Sequence, residues 1–154
     1  MNEKKKPTIK QIIVFSLFAA IGSVVGSFAY NYFVSGSFSG PSTVQRALLR
    51  TANETNKSLP IVLDQHTRLD TTIAGGGNQF TYLYTLINID PDLFDSASFI
   101  AEMKPRLIKQ YETHADMKAF RDMNVELTYC YRSEEGAELV NIKISPDEFT
   151  KNKI

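Results

Sequence analysis

This chain of 154 residues carries as many basic as acidic side chains, 17 of each, and 43% of its residues are hydrophobic. Residues 35–154 hold 13 of the basic and 16 of the acidic side chains and contain no basic run. This mildly acidic composition argues against nucleic acid as a partner and against docking of the domain on anionic lipid. Because Cys130 is the single cysteine, an intrachain disulfide and a cysteine-based metal site are both excluded.

The most informative stretch is residues 9–34, which predicts a transmembrane helix. No charged residue follows Lys10 until Arg46, and the apolar run is long enough to cross a bilayer. Lysine and arginine accumulate on the cytoplasmic side of a membrane. Residues 1–8 are therefore a predicted cytoplasmic leader and the domain is predicted to be extracytoplasmic, because lysines precede the run at Lys4, Lys5, Lys6 and Lys10.

A cleaved signal peptide is the alternative for this stretch, since Ser27-Phe28-Ala29 resembles a small-x-small cleavage site. The apolar character continues past Ala29 to Val34, which favours an uncleaved anchor. Both interpretations place the domain on the same side of the membrane. Gly22 and Gly26 form a GxxxG pattern, which is typical of weak self-association between membrane helices, although glycine is also common in such helices generally.

Composition divides the rest of the chain into a linker (35–41), a folded domain (42–150) and a short tail (151–154). Ser42 is a predicted cap for a short helix that starts at Thr43. A first strand opens at residues 59–63, and alternation of side chains continues it to residue 73.

Further elements follow in order. Glycines at 75–77 predict a hairpin turn into a strand over residues 79–89, which is bulky on both faces and therefore central. A helix capped near Asp95 carries an apolar stripe, which Pro105 should kink or divide: Phe99, Met103, Leu107 and Tyr111.

A further short helix over residues 114–123 follows, with Met117 and Phe120 facing the core. Strands over residues 125–132 and 137–145 complete the predicted elements. The prediction is an α+β domain in which two hairpins form a four-stranded antiparallel sheet with helices packed on one face.

The folded part resembles an uncharacterised family of small exported or membrane-anchored bacterial proteins of unknown function. The residues that carry the resemblance span most of positions 58–149. They are Leu59-Pro60, Asp64-x-x-Thr67-Arg68-Leu69-Asp70, Phe80-x-Tyr82-x-Tyr84-Thr85-Leu86, Met117-x-x-Phe120-Arg121-Asp122, Tyr129-x-Tyr131, Gly136 and Ser145-Pro146. The resemblance implies a bacterial, exported small domain. Together with the anchor and the lysines that precede it, this predicts an inner-membrane protein with a periplasmic domain. It implies no catalytic residue.

Asp64, His66, Arg68 and Asp70 alternate along one predicted strand and so share a face. A carboxylate beside a histidine can orient it for acid–base chemistry, so a small hydrolase-like enzyme is one hypothesis. A solvated, charge-compensated strand face explains the same pattern, and the chain supplies no nucleophile motif. Neither this cluster nor His114 with Glu112 and Asp116 offers enough ligands for a metal site. We therefore predict no metal and no cofactor.

Tyrosines are concentrated on the strands, at Tyr82, Tyr84, Tyr129 and Tyr131. On an exposed sheet face they would favour binding of a partner, because tyrosine offers a large contact area at low entropic cost. A packed core whose hydroxyls reach the rim is the alternative. We predict a binding or accessory module with a protein partner, with these tyrosines and Arg68 as candidate binding residues. The lone Cys130 lies in a strand pattern and is interpreted as a small buried hydrophobe, with an interchain disulfide as the alternative.

Overall fold

The computed structural model describes residues 41–150 and the side chains of residues 43–148. The predicted leader, membrane helix and GxxxG pattern lie outside the described residues, as do residues 35–40 of the linker and the tail. Among residues 41–150, no helix combines the length and the apolar character that a bilayer span requires.

Over residues 41–150 the chain forms a mixed arrangement of helices and strands. The elements are α1 (Pro41–Asn56), β1 (Ile61–Asp64), β2 (Thr67–Ala74), β3 (Gln79–Leu86), α2 (Ser96–Thr113), α3 (Lys118–Asp122), β4 (Glu126–Arg132), β5 (Glu138–Ile144) and α4 (Asp147–Thr150). Short 3₁₀ turns, Pro91–Leu93 and Ala115–Met117, precede α2 and α3. The predicted α+β class is confirmed.

The predicted four-stranded antiparallel sheet is wrong in two respects. The described residues form a five-stranded sheet in the order β1-β2-β3-β4-β5, and β3 pairs with β4 in parallel while the other pairs are antiparallel. One predicted strand is in fact two, because the chain reverses at Gln65-His66 between β1 and β2. The parallel pair arises because the chain crosses over through α2 and α3 between β3 and β4, whereas a tight hairpin would make neighbours antiparallel.

The core lies between one face of the sheet and the helices. Alternate residues of β3 and β4 point into it, from Phe80 to Leu86 and from Leu127 to Tyr131. The helices reach the same rings: Phe120 of α3 lies 5.2 Å from Phe80, and Phe99 of α2 lies 5.0 Å from Tyr131, between ring centroids. The predicted stripe of α2 is buried throughout, and β3 is central as predicted.

A β-bulge at Asp70 changes which residues of β2 face the core. Leu69 lies opposite Tyr84, but the next paired residue, Thr71, lies opposite Leu83. The extra residue shifts the alternation by one, since a single inserted residue exchanges the two faces of a strand. Thr72 is consequently buried at 2% exposure, whereas Ile73, which uninterrupted alternation would place on the face of Leu69, is 51% exposed.

Pro105 does not divide the second helix. The helix runs without a break from Ser96 to Thr113, and Pro105 lies on its exposed side. Proline removes one intrahelical hydrogen bond, and a solvent-facing position allows water to satisfy the released carbonyl. The predicted cap is confirmed, because the Asp95 carboxylate accepts a hydrogen bond from the Ser98 backbone N–H at 3.1 Å.

Asn56, the last residue of α1, forms hydrogen bonds with a part of the β2 edge that the short strand β1 does not reach. β1 pairs only with residues 67–69 of β2. The Asn56 amide group donates to the Thr72 carbonyl at 2.8 Å, and its oxygen accepts from the Thr72 backbone N–H at 2.8 Å and from its hydroxyl at 2.9 Å. The side chain thus takes the place of a neighbouring strand and covers part of an edge that could otherwise pair with another chain.

Replacing Asn56 with alanine should lower the free energy of unfolding by about 3 kcal/mol, because three partly buried polar groups of Thr72 lose their partner. Chemical denaturation of the full chain measures this change. Asn53→Ala is the matched control, since Asn53 lies in the same helix and is exposed. Equal effects of the two substitutions would show that the Asn56 bonds contribute nothing specific.

Candidate functional site

The four tyrosines predicted as a binding face are in the core. Tyr82, Tyr84, Tyr129 and Tyr131 are at most 2% exposed. The parallel register sets Tyr82 beside Tyr129 and Tyr84 beside Tyr131, and all four point toward the helices. No exposed tyrosine surface is observed, because the crossover helices cover this face of the sheet. The packed-core alternative agrees with the burial of the rings, but the hydroxyls of Tyr82, Tyr84 and Tyr129 are buried as well and do not reach the rim.

Burial changes the acid–base behaviour of these side chains. The pKa values of Tyr82, Tyr84, Tyr129 and Tyr131 are all raised, mainly because the core does not solvate a phenolate. The pKa of Tyr111 is raised for the same reason, although its hydroxyl donates a hydrogen bond to the Val125 carbonyl at 2.8 Å. All five side chains are neutral at physiological pH.

The polar cluster on the predicted first strand is divided between two structural roles. Asp64 is the last residue of β1, and its carboxylate accepts a hydrogen bond from the backbone N–H of His66 in the following turn at 2.7 Å. The His66 carbonyl in turn accepts from the Ile87 N–H at 2.8 Å. Asp64 therefore shapes this turn through a local bond to the backbone, as aspartate often does.

Arg68 and Asp70 form an ion pair next to the bulge. The two oxygens of Asp70 accept hydrogen bonds from Arg68 Nε and from the Thr85 hydroxyl, each at 2.5 Å. Both oxygens are thus occupied, and Arg68, 40% exposed, is held against its own strand. This arrangement is that of a structural ion pair, and an exposed pair of this kind contributes about 1 kcal/mol or less to stability.

Cys130 lies on the face of β4 opposite the tyrosines and is buried at 6% exposure. Burial raises the pKa of its thiol, and a hydrogen bond with Arg132 acts in the opposite direction. A buried thiol with a raised pKa behaves as a small apolar side chain, as predicted. Within residues 41–150, no three histidine, cysteine, aspartate or glutamate side chains come together in a way that could hold a metal ion.

The remaining candidate is a shallow apolar groove on the outer side of α2. Two adjacent rows of side chains, each with a spacing of four residues, line it. They are Ile100, Lys104, Ile108 and Glu112, and Ala101, Pro105, Lys109 and Thr113. Ile100 and Ile108 are half-buried, and Ala101 and Pro105 are exposed. Lys104 is fixed by an ion pair with Glu148 of α4 at 2.7 Å.

Sequence reasoning did not single out this groove. Pro105 was interpreted only as a possible kink or division of the helix, and its neighbours Ala101 and Ile108 were not considered as a surface. The sequence does contain a signal for the groove, which is the second row of residues spaced four apart next to the buried stripe. An α-helix that is apolar beyond its core-facing stripe has a further apolar surface that a partner can cover. Apolar residues in such a row, flanked by lysines, can accommodate an apolar segment with polar borders.

Several proteins of known structure have a fold similar to that of residues 41–150. The fold is similar to that of a Pseudomonas aeruginosa protein described as secreted, with a TM-score of 0.60 and 12% identity over 73% of this chain and 97% of that one. The pilotin EpsS of the Vibrio vulnificus type 2 secretion system matches with a TM-score of 0.55 and 12% identity, over 70% and 92% of the two chains. The type II secretion pilotin AspS of Vibrio cholerae matches at 0.53 and 8%, over 70% and 93%.

At these identities the likeness is one of fold alone. No curated protein sequence matches the chain. The profile of one family does match, over residues 42–140, and the chain belongs to that family, described as Domain of unknown function (DUF8479). The resemblance to an uncharacterised family is thereby confirmed.

Proposed function

We propose that this protein is an extracytoplasmic accessory module that binds a segment of a partner protein in the groove of α2. The supporting observation is the groove itself, an apolar surface that lies outside the core stripe. Among the solved structures of the same fold, two are pilotins of type II secretion systems and one is described as secreted. Accessory work outside the cytoplasm is therefore compatible with this fold.

The proposal includes the anchor predicted from the sequence. Residues 9–34 hold the protein in the bacterial inner membrane with the N-terminus in the cytoplasm, and the domain lies in the periplasm. The six residues 35–40 separate the anchor from α1, which begins at Pro41. Six extended residues reach about 20 Å, which is the largest distance that this linker allows between the end of the anchor and Pro41.

The partner segment is expected to be mainly apolar with acidic borders. Ile100, Ala101 and Ile108 provide the apolar floor, and Lys109 at the border is exposed. Apolar contact supplies most of the binding energy in such grooves, whereas border charges set orientation and the rate of association.

Ala101→Glu tests the groove. The substitution places a charge on the floor at an exposed position, so binding should weaken by about tenfold or more while the fold persists. A photoreactive residue at Pro105 in the full chain would be crosslinked in cells, and the yield of the adduct with and without Ala101→Glu would be compared.

Ala97→Glu is the matched control, because Ala97 is exposed in the same helix but does not line the groove. It should leave the adduct unchanged. The proposal is wrong if both variants keep the adduct, or if Pro105 gives no adduct in cells that contain the anchored protein.

A further inference from the structure

The two outer strands of the sheet differ in how well their edges are protected. On one side, β1 has four residues and an irregular register, and Asn56 bonds to the part of β2 beyond it. On the other side, β5 has seven residues and pairs regularly with β4 from Val140 to Ile144. Among the described residues, the backbone of 140–144 forms hydrogen bonds only within the β4–β5 pair. An open edge of this length can pair with a further strand.

The exposed side chains of β5 carry opposite charges at its two ends. In the pairing with β4, Leu139 is skipped and Glu138 lies opposite Arg132. This bulge brings Glu138 onto the same face as Asn141 and Lys143, since an extra residue shifts the alternation of a strand by one. The Asn141 amide accordingly donates a hydrogen bond to the Glu138 carboxylate at 2.7 Å. All three side chains are exposed, on the face of the sheet opposite the tyrosines.

This order of charges fits a second copy of β5 that runs in the opposite direction. A two-fold axis at Asn141 sets this residue opposite itself and sets Lys143 opposite the bulge that carries Glu138. Opposite charges then meet at both ends, and the faces of the two strands match, as cross-strand pairing requires. A second copy in parallel register would instead set like charges side by side, which is destabilising.

We infer that β5 is a self-association edge, at which two copies of this chain pair antiparallel about Asn141 into one continuous sheet. Each copy contributes its five strands, and the contact is separate from the groove of α2. A single pair of edge strands buries little surface, so the contact is weak between free domains. The predicted anchor at residues 9–34 favours the pairing, because two anchored copies share one membrane surface and meet at a high effective concentration.

Disulfide trapping of the full chain in cell membranes tests the pairing. Cys130 lies opposite Asn141 within one chain, so it is first replaced with alanine, and with valine in a second background, to prevent an intrachain bond. Asn141→Cys should then give a disulfide-linked dimer under mild oxidation. Residues that face each other in an antiparallel pair lie about 4.5–5.5 Å apart between Cα atoms, within the reach of a disulfide.

Lys143→Cys is the matched control in both backgrounds. Lys143 is exposed on the same face of the same strand, but in the inferred register its two copies are four residues apart along the pair. Their Cα atoms are then separated by about 14 Å, so this variant should give little or no dimer.

An exchange of charges provides a second measurement. Glu138→Lys, added to the Asn141→Cys chain, should lower the yield of dimer about fivefold or more, because like charges then face each other at both ends of the pair. A further Lys143→Glu should restore the yield, since the charges are reversed in order but complementary again. Far-ultraviolet circular dichroism of each purified variant checks that the fold persists.

Three results overturn the inference. If Asn141→Cys gives no dimer, β5 does not pair with its own copy. If positions 141 and 143 give equal yields, the chains are trapped by random collision in the membrane and have no fixed register. If Lys143→Glu does not restore the yield that Glu138→Lys has lowered, the order of charges on β5 does not direct the pairing.

Discussion

Above pH 10 the folded domain should lose stability steeply and unfold within about two pH units. Five tyrosines of the core have pKa values raised above the ordinary value of 10.0, chiefly by burial. Below pH 10 they are neutral in both states and cost nothing. Above it the unfolded chain releases their protons and the folded chain does not, so each tyrosine removes about 1.4 kcal/mol of stability per pH unit.

Five groups together correspond to about 7 kcal/mol per pH unit, which is comparable to the whole stability of a typical domain. The phenolate absorbance that comes from these five of the seven tyrosines should therefore change together with the far-ultraviolet circular dichroism in one cooperative transition. The chain unfolded in denaturant is the control, and its tyrosines should titrate near pH 10. Ionisation of these five tyrosines near pH 10 without loss of secondary structure would contradict the buried arrangement.

The second large effect is expected for Phe99→Ala. Phe99 is fully buried, and its ring lies 5.0 Å from Tyr131 and 5.2 Å from Phe94, so it joins α2 to the sheet and to the preceding turn. Removing a buried phenylalanine side chain typically costs 3–5 kcal/mol, and we expect about 4 kcal/mol here. Urea denaturation of the full chain measures the change.

Leu93→Ala is the control for this substitution. Leu93 lies in the turn before α2 and is 79% exposed, so its loss should change the free energy of unfolding by less than about 0.5 kcal/mol. A loss below about 1 kcal/mol for Phe99→Ala would mean that the core closes around the missing ring.

Local sequence patterns were sufficient to predict those features that depend on a single helix or strand. The stripe of α2 from Phe99 to Tyr111, the Asp95 cap and the central β3 follow from spacing and capping chemistry alone. The division of the first strand could not be predicted, because alternation continues without interruption through Gln65-His66. The bulge at Asp70 was equally hidden, since an inserted residue is visible only when the partner strand is known.

The tyrosines show the same limit at the level of function. A strand that is bulky on both faces does not reveal which face the helices cover, so its sequence alone does not decide whether Tyr82 and Tyr84 lie on a surface or in the core. The crossover between β3 and β4 decides the matter by bringing α2 and α3 onto the tyrosine face. The groove of α2 is likewise a product of tertiary packing, because Ala101 and Pro105 carry no binding signal of their own.

The parallel pairing of β3 and β4 also fixes the order in which the domain can fold. Gln79 and Glu126, whose side chains meet in this pair, are 47 residues apart, whereas β2 and β3 are joined by a short turn. During synthesis, the β1–β2–β3 segment can therefore pair early, while β3 keeps an unsatisfied edge with its aromatic side chains until residues 126–132 have emerged. Distant pairing of this kind slows folding and leaves a period in which an apolar strand is open to intermolecular association.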